Sequence, residues 1–537
     1  MSKLFEVGLF DELEGIYPDT VASTGKKLYT VSGASGTYAG VHIVISGLTA
    51  GKMVSVEAKG PHGNYKFFEM IAVPVEDNTG LVTRTERYDG RYNPYVIRRA
   101  PFMIYEVLRP MRNIVVSQGD TVAITFREEV KVDQDRENKW EIYITVDGVT
   151  QKLTFVVEAH AFKVEPSSKA THKYINWINF DHIAKYHRVE MWSSSWKAIT
   201  LEYLKLARYG RQNILWLPAN NYFELGSDGK LELNTKKLDT LIALADKAGL
   251  YWLNGANLCG RKDGDWCATQ ATALFTERII PGEGEEDLRD MTTKLYAYIK
   301  ERGLEDRWIQ SFFDEPLDES ARLYQIGARI IRETMPGIKV LDANKATGTL
   351  VGALDIWCPT LDQYEAHLDF YKERVEKGDE VWVYTCLEPT GPYLNRLLDM
   401  ERLRPVLIEW VNSLYPVTGF LHWGGNWFAV DPYKQSCICM GQESYTNFNI
   451  NYSAQLPAGD CGIIYPGDFI GLSTTRLEAH RIGFEDLYMI EKIKEKDVAK
   501  AREIVEKLAR SYKDYETDID LYRKVKKLLI EEVKQLA

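Results

Sequence analysis

No run of eighteen apolar residues occurs in the chain, so the sequence offers no helix able to span a membrane. Positive charge is also short. The 66 Lys and Arg stand against 77 Asp and Glu, a net charge of −11, and no uninterrupted basic block supplies the footprint of a nucleic-acid partner. The seven cysteines are scattered and odd in number, which excludes a disulfide framework and suits a reducing compartment. Cys437 and Cys439 lie one residue apart with no second pair and no histidines at ligand spacing, and His182 and His187 lack a third ligand, so neither a metal nor a cofactor is expected. Met1 to Glu12 has no basic n-region and no continuous apolar core, so no secretory leader is expected and a cytoplasmic location is.

What is present divides into three stretches. Residues 1–165 carry short runs rich in β-branched and aromatic residues (Val41 to Ile45, Val54 to Ala58, Val122 to Phe126, Trp140 to Val146), punctuated by turn dipeptides. Asp147-Gly148 marks a hairpin, and the pattern predicts a β-sandwich with a structural or sugar-binding role. After the linker at Pro166 to Lys169, residues 170–485 alternate apolar runs with amphipathic stretches such as Ala198 to Tyr209, Ser320 to Thr334 and Leu403 to Leu414. The runs at 174–180, 213–219, 251–258, 307–313, 339–343, 355–358, 380–387 and 418–423 give the eight strands of a (β/α)8 barrel. An open doubly wound sheet would usually carry a glycine-rich phosphate turn after its first strand, where this chain has Phe180-Asp181-His182. Asn447 to Tyr452 alternates as a strand or extended loop. Residues 486–537 read as amphipathic helices broken near Thr517-Asp518, a solvated cap with self-association into a homo-oligomer as the second reading.

Barrel enzymes place their chemistry at the C-terminal ends of the strands. Here those ends hold Asn179, Asn220, Asn257, Tyr384, Glu388, His422, Trp423 and Trp427, a set of polar and aromatic side chains suited to a carbohydrate. Most of the tryptophans lie between 177 and 427, and the majority of them are expected to fill the barrel wall. His422 reads as a hydrogen-bonding mouth residue.

The fourth run, Ile309 to Phe313, ends in Asp314-Glu315-Pro316. Neighbours on an ideal strand point to opposite faces, so both carboxylates reach one ligand only where the strand breaks, and Pro316 helps to end it there. Two like charges this close raise the proton affinity of at least one, as a general acid requires. The pair suits cleavage of a 2-acetamido sugar in which the substrate's amide oxygen attacks the anomeric carbon. Asp314 then orients that amide, and Glu315 protonates the leaving oxygen and later activates water. Three other readings stay open. Asp-Glu-Pro-Leu-Asp-Glu-Ser also serves as a plain helix start with acidic residues at its positive end. Glu315 with Glu388, after the seventh strand, makes an ordinary double-displacement pair ~5 Å apart on a sugar without an amide. A non-catalytic carbohydrate-binding protein is the third.

Several segments together resemble a known family: Tyr174 to Tyr186, Gln212 to Leu215, Phe313 to Pro316, Pro389 to Arg396, Gly419 to Gly424, Ile464 to Gly467 and Thr475 to Glu478. The set is similar to the bacterial proteins that carry domain of unknown function 4091, whose characterised relatives form glycoside hydrolase family 123. The resemblance covers roughly residues 150–495. It implies a β-sandwich followed by a (β/α)8 barrel, and a retaining, substrate-assisted exo-β-N-acetylgalactosaminidase whose Asp-Glu pair matches Asp314 and Glu315. It also implies that Tyr384 supports the acetamido carbonyl and that Trp423 is a floor or stacking aromatic. Glu388 stands where many relatives have a small residue, often glycine, and the leader common among glycan-degrading relatives is missing at Met1; both departures leave the sugar itself open.

Overall fold

The computed structural model describes residues 5–227, 229–344, 348–442 and 454–536; the extended segment expected at 447–452 lies outside them. The chain divides into two compact units. One comprises Ser167–Cys386 and Pro416–Gly425, the other Met1–Pro166, Leu387–Tyr415 and Asn426–Ala537.

The first unit holds the barrel. Its parallel strands are Lys173–Asn176, Ile214–Leu217, Trp252–Gly255, Trp308–Gln310, Lys339–Ala343, Ile356–Cys358, Glu380–Tyr384 and Gly419–His422; seven lie inside expected runs, and the first begins one residue before its run. In chain order they hydrogen-bond as 1-8-7-6-5-4-3-2, a nearly closed ring. Ile175, Ile214, Ile309, Leu341, Ile356, Trp382 and Leu421 pack into one core cluster. Strands buried on both faces need apolar residues at nearly every position, which is why they read as continuous runs. The helices alternate with them: Ala321–Thr334, for example, buries Leu323, Tyr324, Ala328, Ile330 and Ile331 at helical spacing.

Between the first and second strands no strand ladder forms; side-chain amides stitch that seam. Asn213 Oδ1 accepts from the Tyr174 N–H at 2.9 Å, while the Asn213 N–H donates to the Tyr174 carbonyl at 3.2 Å. Gln212 Oε1 accepts from the Asn176 N–H at 3.0 Å and Gln212 Nε2 donates to the Asn176 carbonyl at 3.1 Å. The carboxamides thus satisfy backbone groups that the ladder leaves over, and both residues are buried.

In the second unit two mostly antiparallel sheets share an apolar core in which Val41, Ile43 and Ile45 meet Trp140, Ile142, Ile144 and Phe155. Asp147 and Gly148 both take positive φ, 49° and 77°, and join Arg136–Val146 to Val149–Lys163 as the two-residue turn expected of that dipeptide. Residue 165 does not end the larger sheet. Gly471–Thr474 pairs with its strand Phe102–Met111, and Tyr465–Pro466 lies beyond. The boundary expected at 485 falls inside a buried helix, Thr475–Lys494. Helix Leu403–Asn412, expected to cover the barrel, belongs to this unit too, with all ten residues buried. The C-terminal break comes where expected, with Asp518 capping Ile519–Gln535, but that helix buries Tyr522, Val525, Leu529, Ile530 and Val533. Its Arg523 forms a forked bond to Asp11, with 2.7 Å in each arm.

A fully buried ion cluster ties three distant segments of this unit together. Glu106 Oε1 lies 2.7 Å from Arg476 Nε, and Glu106 Oε2 lies 3.3 Å from Arg402 Nη2 and accepts from the Thr475 hydroxyl. Arg476 spends its other donors on the carbonyls of Arg396, Gly459 and Gly462.

Two stability outcomes are expected. Gln212→Leu leaves the Asn176 N–H and C=O unpaired, at about 1–3 kcal/mol for each group; urea unfolding followed by tryptophan fluorescence measures it, and an unchanged midpoint contradicts the seam. Glu106→Gln leaves buried guanidinium charge uncompensated, which costs ~3–5 kcal/mol, and calorimetry will show it as a lowered melting temperature.

Candidate active site

The fourth strand delivers the acidic pair. Its ladder is short: Leu253↔Trp308, Asn254↔Ile309 and Gly255↔Gln310 on one side, Ile309↔Lys339 and Gln310↔Val340 on the other. Beyond Gln310 side chains replace it. Gln310 Nε2 donates to the carbonyls of Ala256 and Ser311 at 2.9 and 2.7 Å. A Cβ at position 255 would collide with the Gln310 amide, so glycine is required opposite it. Asp342, at the end of the fifth strand, accepts the Phe312 N–H at 2.9 Å and the Tyr324 hydroxyl on the same oxygen. The Phe312 carbonyl accepts from Leu258 and Cys259. The Phe312 ring lies where a Cβ on Gly327 would stand, which sets helix Ala321–Thr334 close behind the strand end.

Two residues after this clamp the chain turns left-handed. Glu315 has φ +45°, a conformation strained for a residue with a Cβ and doubly so before proline. The strand's in–out alternation stops there, and both carboxylates act on the same neighbours, Tyr384 and Arg261. The Tyr384 hydroxyl, at the end of the seventh strand, donates to Glu315 Oε1 at 2.6 Å. Arg261 Nη2 donates to the Glu315 carbonyl at 2.6 Å, and its guanidinium lies 5.0 Å from the Phe313 ring centroid.

Charge is unevenly held in this site. Burial, and then the negative charge of Glu315, push the Asp314 carboxyl up to about 7, against the opposing pull of Arg261 and of the Glu315 N–H. Burial holds Asp342 well above the usual carboxylate range despite its donors, and raises the Tyr384 phenol, with the Glu315 charge as the next cause. The result is a proton-rich acidic cluster with one guanidinium at its edge.

The other candidates fall as follows. Asn179 occupies the N-cap position of helix Phe180–His187 and is half-buried; Asn220 is exposed in the turn after the second strand, and Asn257 is half-buried after the third. Buried Asn221, next to Asn220, bonds Asp181, whose carboxyl burial raises. His422 ends the eighth strand, buried, with Nδ1 accepting the Gly424 N–H at 2.9 Å, and Trp423 beside it is half-buried. Trp177 and Trp216 stack at 4.8 Å with planes 7° apart against the barrel core. Glu388 and Trp427 belong to the other unit. There Glu388 is exposed and accepts from the Thr83 hydroxyl at 2.6 Å, and the Trp427 N–H donates to the Cys461 carbonyl at 2.9 Å.

Sequence reasoning brought Asp314, Glu315 and Tyr384 forward, and these three meet. It placed Asp342 at a strand end without giving it a role, and it missed Tyr324 and Arg261. Arg261 carried one legible signal: about thirty residues separate the third strand from its helix Gly284–Glu301, far beyond an ordinary connection, and such excursions in barrels serve the site.

Residues 177–493 match the family model described as glycoside hydrolase 123, catalytic domain. A family 123 glycoside hydrolase from Clostridium perfringens superposes with a TM-score of 0.76 at 13% identity, covering 99% of this chain and 98% of its own. A β-D-glucuronidase of Dictyoglomus thermophilum overlaps at a TM-score of 0.33 and 10% identity, over 84% of this chain and 66% of that one, too low to carry an argument. No curated protein matches the sequence.

The raised Asp314 gives a stability test with a definite sign. Between about pH 4 and 7 the unfolded chain releases this proton and the folded chain keeps it, so stability falls as pH rises through that window. Asp314→Asn removes the penalty. The variant is expected to melt above the wild type at pH 8 and level with it at pH 4; a variant less stable at pH 8 contradicts the assignment.

Proposed function

The chain belongs to glycoside hydrolase family 123, and on that premise we propose that it releases a terminal 2-acetamido sugar with retention, in the manner of a β-N-acetylgalactosaminidase. The observation that carries this reading is the neighbouring pair itself, with Glu315 turned left-handed and Asp314 facing the same tyrosine and arginine. Glu315 is the general acid and base. Tyr384 occupies its Oε1, which leaves the second oxygen to give a proton to the glycosidic oxygen. As that bond to the anomeric carbon breaks, the carbonyl oxygen of the substrate's acetamide forms a new bond to the same carbon. With the proton of the pair carried by Glu315, Asp314 is the carboxylate that accepts the amide N–H and offsets the positive charge of the cyclic intermediate. Glu315, now a carboxylate, takes a proton from water. The water oxygen attacks the anomeric carbon, the ring opens, and the amide is regenerated.

Asn179, Asn257, His422 and Trp423, at strand ends of the barrel, are proposed to hold the sugar hydroxyls and ring, with exposed Asn220 at the margin. The double-displacement alternative draws no support from the surroundings of Glu388, which is exposed and bonded to Thr83. The cysteines, seven in number and scattered along the chain, support a reducing, cytoplasmic setting. Among the described residues no helix is long and apolar enough to cross a membrane.

Nitrophenyl glycosides with and without the 2-acetamido group, at both anomers, test the proposal. Acetamido substrates of the β series are expected to be turned over far faster than plain hexosides. Glu315→Gln should lower kcat by ~10²–10⁴-fold, and Asp314→Asn should slow acetamido substrates far more than any hexoside. Full activity in Glu315→Gln sinks the assignment, and equal losses in Asp314→Asn sink substrate assistance.

A further inference from the structure

The excursion after the third barrel strand forms a three-stranded sheet of its own, Cys259–Arg261, Ala271–Ala273 and Ile279–Ile280. Its first hairpin is tightly turned. Asp263 and Gly264 take positive φ, Asp265 caps the Cys267 N–H at 3.0 Å, and the Lys262 N–H closes onto the Gln270 carbonyl. At the tip of that turn stands Trp266, 46% exposed. A single exposed aromatic is ordinary on a protein surface. This one is not loose: the Arg261 guanidinium sits 4.0 Å from its ring centroid and covers one face, a cation–π contact that fixes the indole plane. The same guanidinium donates to the Glu315 carbonyl at 2.6 Å. Arg261 Nε, buried, has no acceptor among the described residues.

A fixed aromatic face with one side open is a platform for the C–H face of a sugar ring. Its position in the site follows from Glu315. A general acid stands on the leaving-group side of the scissile bond; Arg261 bonds the backbone carbonyl of Glu315 and holds Trp266 against itself. We infer that Trp266 forms a leaving-group subsite that takes the sugar released as the aglycone, with the uncovered indole face as platform and Arg261, on the other face, as the residue that positions it. The inference rests on Glu315 being the acid. It makes Trp266 a specificity-determining residue, one that selects oligosaccharides over simple glycosides.

Two substrates separate this subsite from the rest of the machinery. One is a disaccharide ending in a β-linked 2-acetamido-2-deoxygalactosyl unit. The other is the β-fluoride of the same sugar, whose leaving group is one atom, too small to reach a platform. For Trp266→Ala, kcat/KM on the disaccharide is expected to fall at least tenfold further than on the fluoride. Trp266→Phe, which keeps an aromatic face, should recover most of that difference. Equal losses on both substrates, or no loss on the disaccharide, overturn the subsite while leaving the acid assignment intact. A wild-type enzyme that cleaves neither substrate overturns the proposed function and the subsite with it.

Discussion

One buried carboxylate supports the loop that carries the acidic pair. Where the ladder of the fourth strand stops at Gln310, Asp342 takes the Phe312 N–H that a neighbouring strand would have taken and anchors Tyr324 from the helix behind. The next three residues reach the acidic pair. Their register therefore depends on a side chain from the following strand, whose carboxyl burial raises well above the usual range. The arrangement is economical in sequence: a single Asp at a strand end sets the height of the loop, the seat of Phe312 against Gly327, and the point at which the chain turns left-handed.

Side chains standing in for backbone recur in this barrel. Gln212 and Asn213 bridge the first and second strands, Gln310 welds the third to the fourth, and Asp342 extends the fourth beside the fifth. Barrel strands of three to five residues cannot complete their own hydrogen bonding at both ends. Buried amides and carboxylates finish it, and they do so with fixed geometry, which a mobile water would not provide. The strain at Glu315 is tolerated because the residues on its N-terminal side are over-determined in this way.

How much of this was legible in the sequence follows from the range of each interaction. The eight barrel strands were, since burial on both faces writes an apolar run into each. The acidic pair was, since its meaning is local: strand, two carboxylates, proline. Tyr384 could be placed by counting strands. Asp342 could be placed at a strand end, yet nothing near it says that it serves Phe312, thirty residues earlier. Arg261 was hidden because its short strands, three residues or fewer, carry no periodicity. Domain limits suffered most. Ser473 pairs with Leu108 across more than three hundred residues, and pairing of that span leaves no mark in either segment. The excursion at 387–415, read as part of the barrel by its position after the seventh strand, packs in the other unit through Leu403–Asn412.

That late pairing bears on how the molecule is made. Strand Phe102–Met111 leaves the ribosome long before Gly471–Thr474, and at ordinary elongation rates the interval is on the order of tens of seconds. Throughout it the nascent sheet has an open edge, and for most of it Glu106 on that strand has neither of its arginines. The entire barrel is synthesised in between. The unit that begins the chain is thus the last to be completed, and its unfinished edge is where a holdase would have to bind.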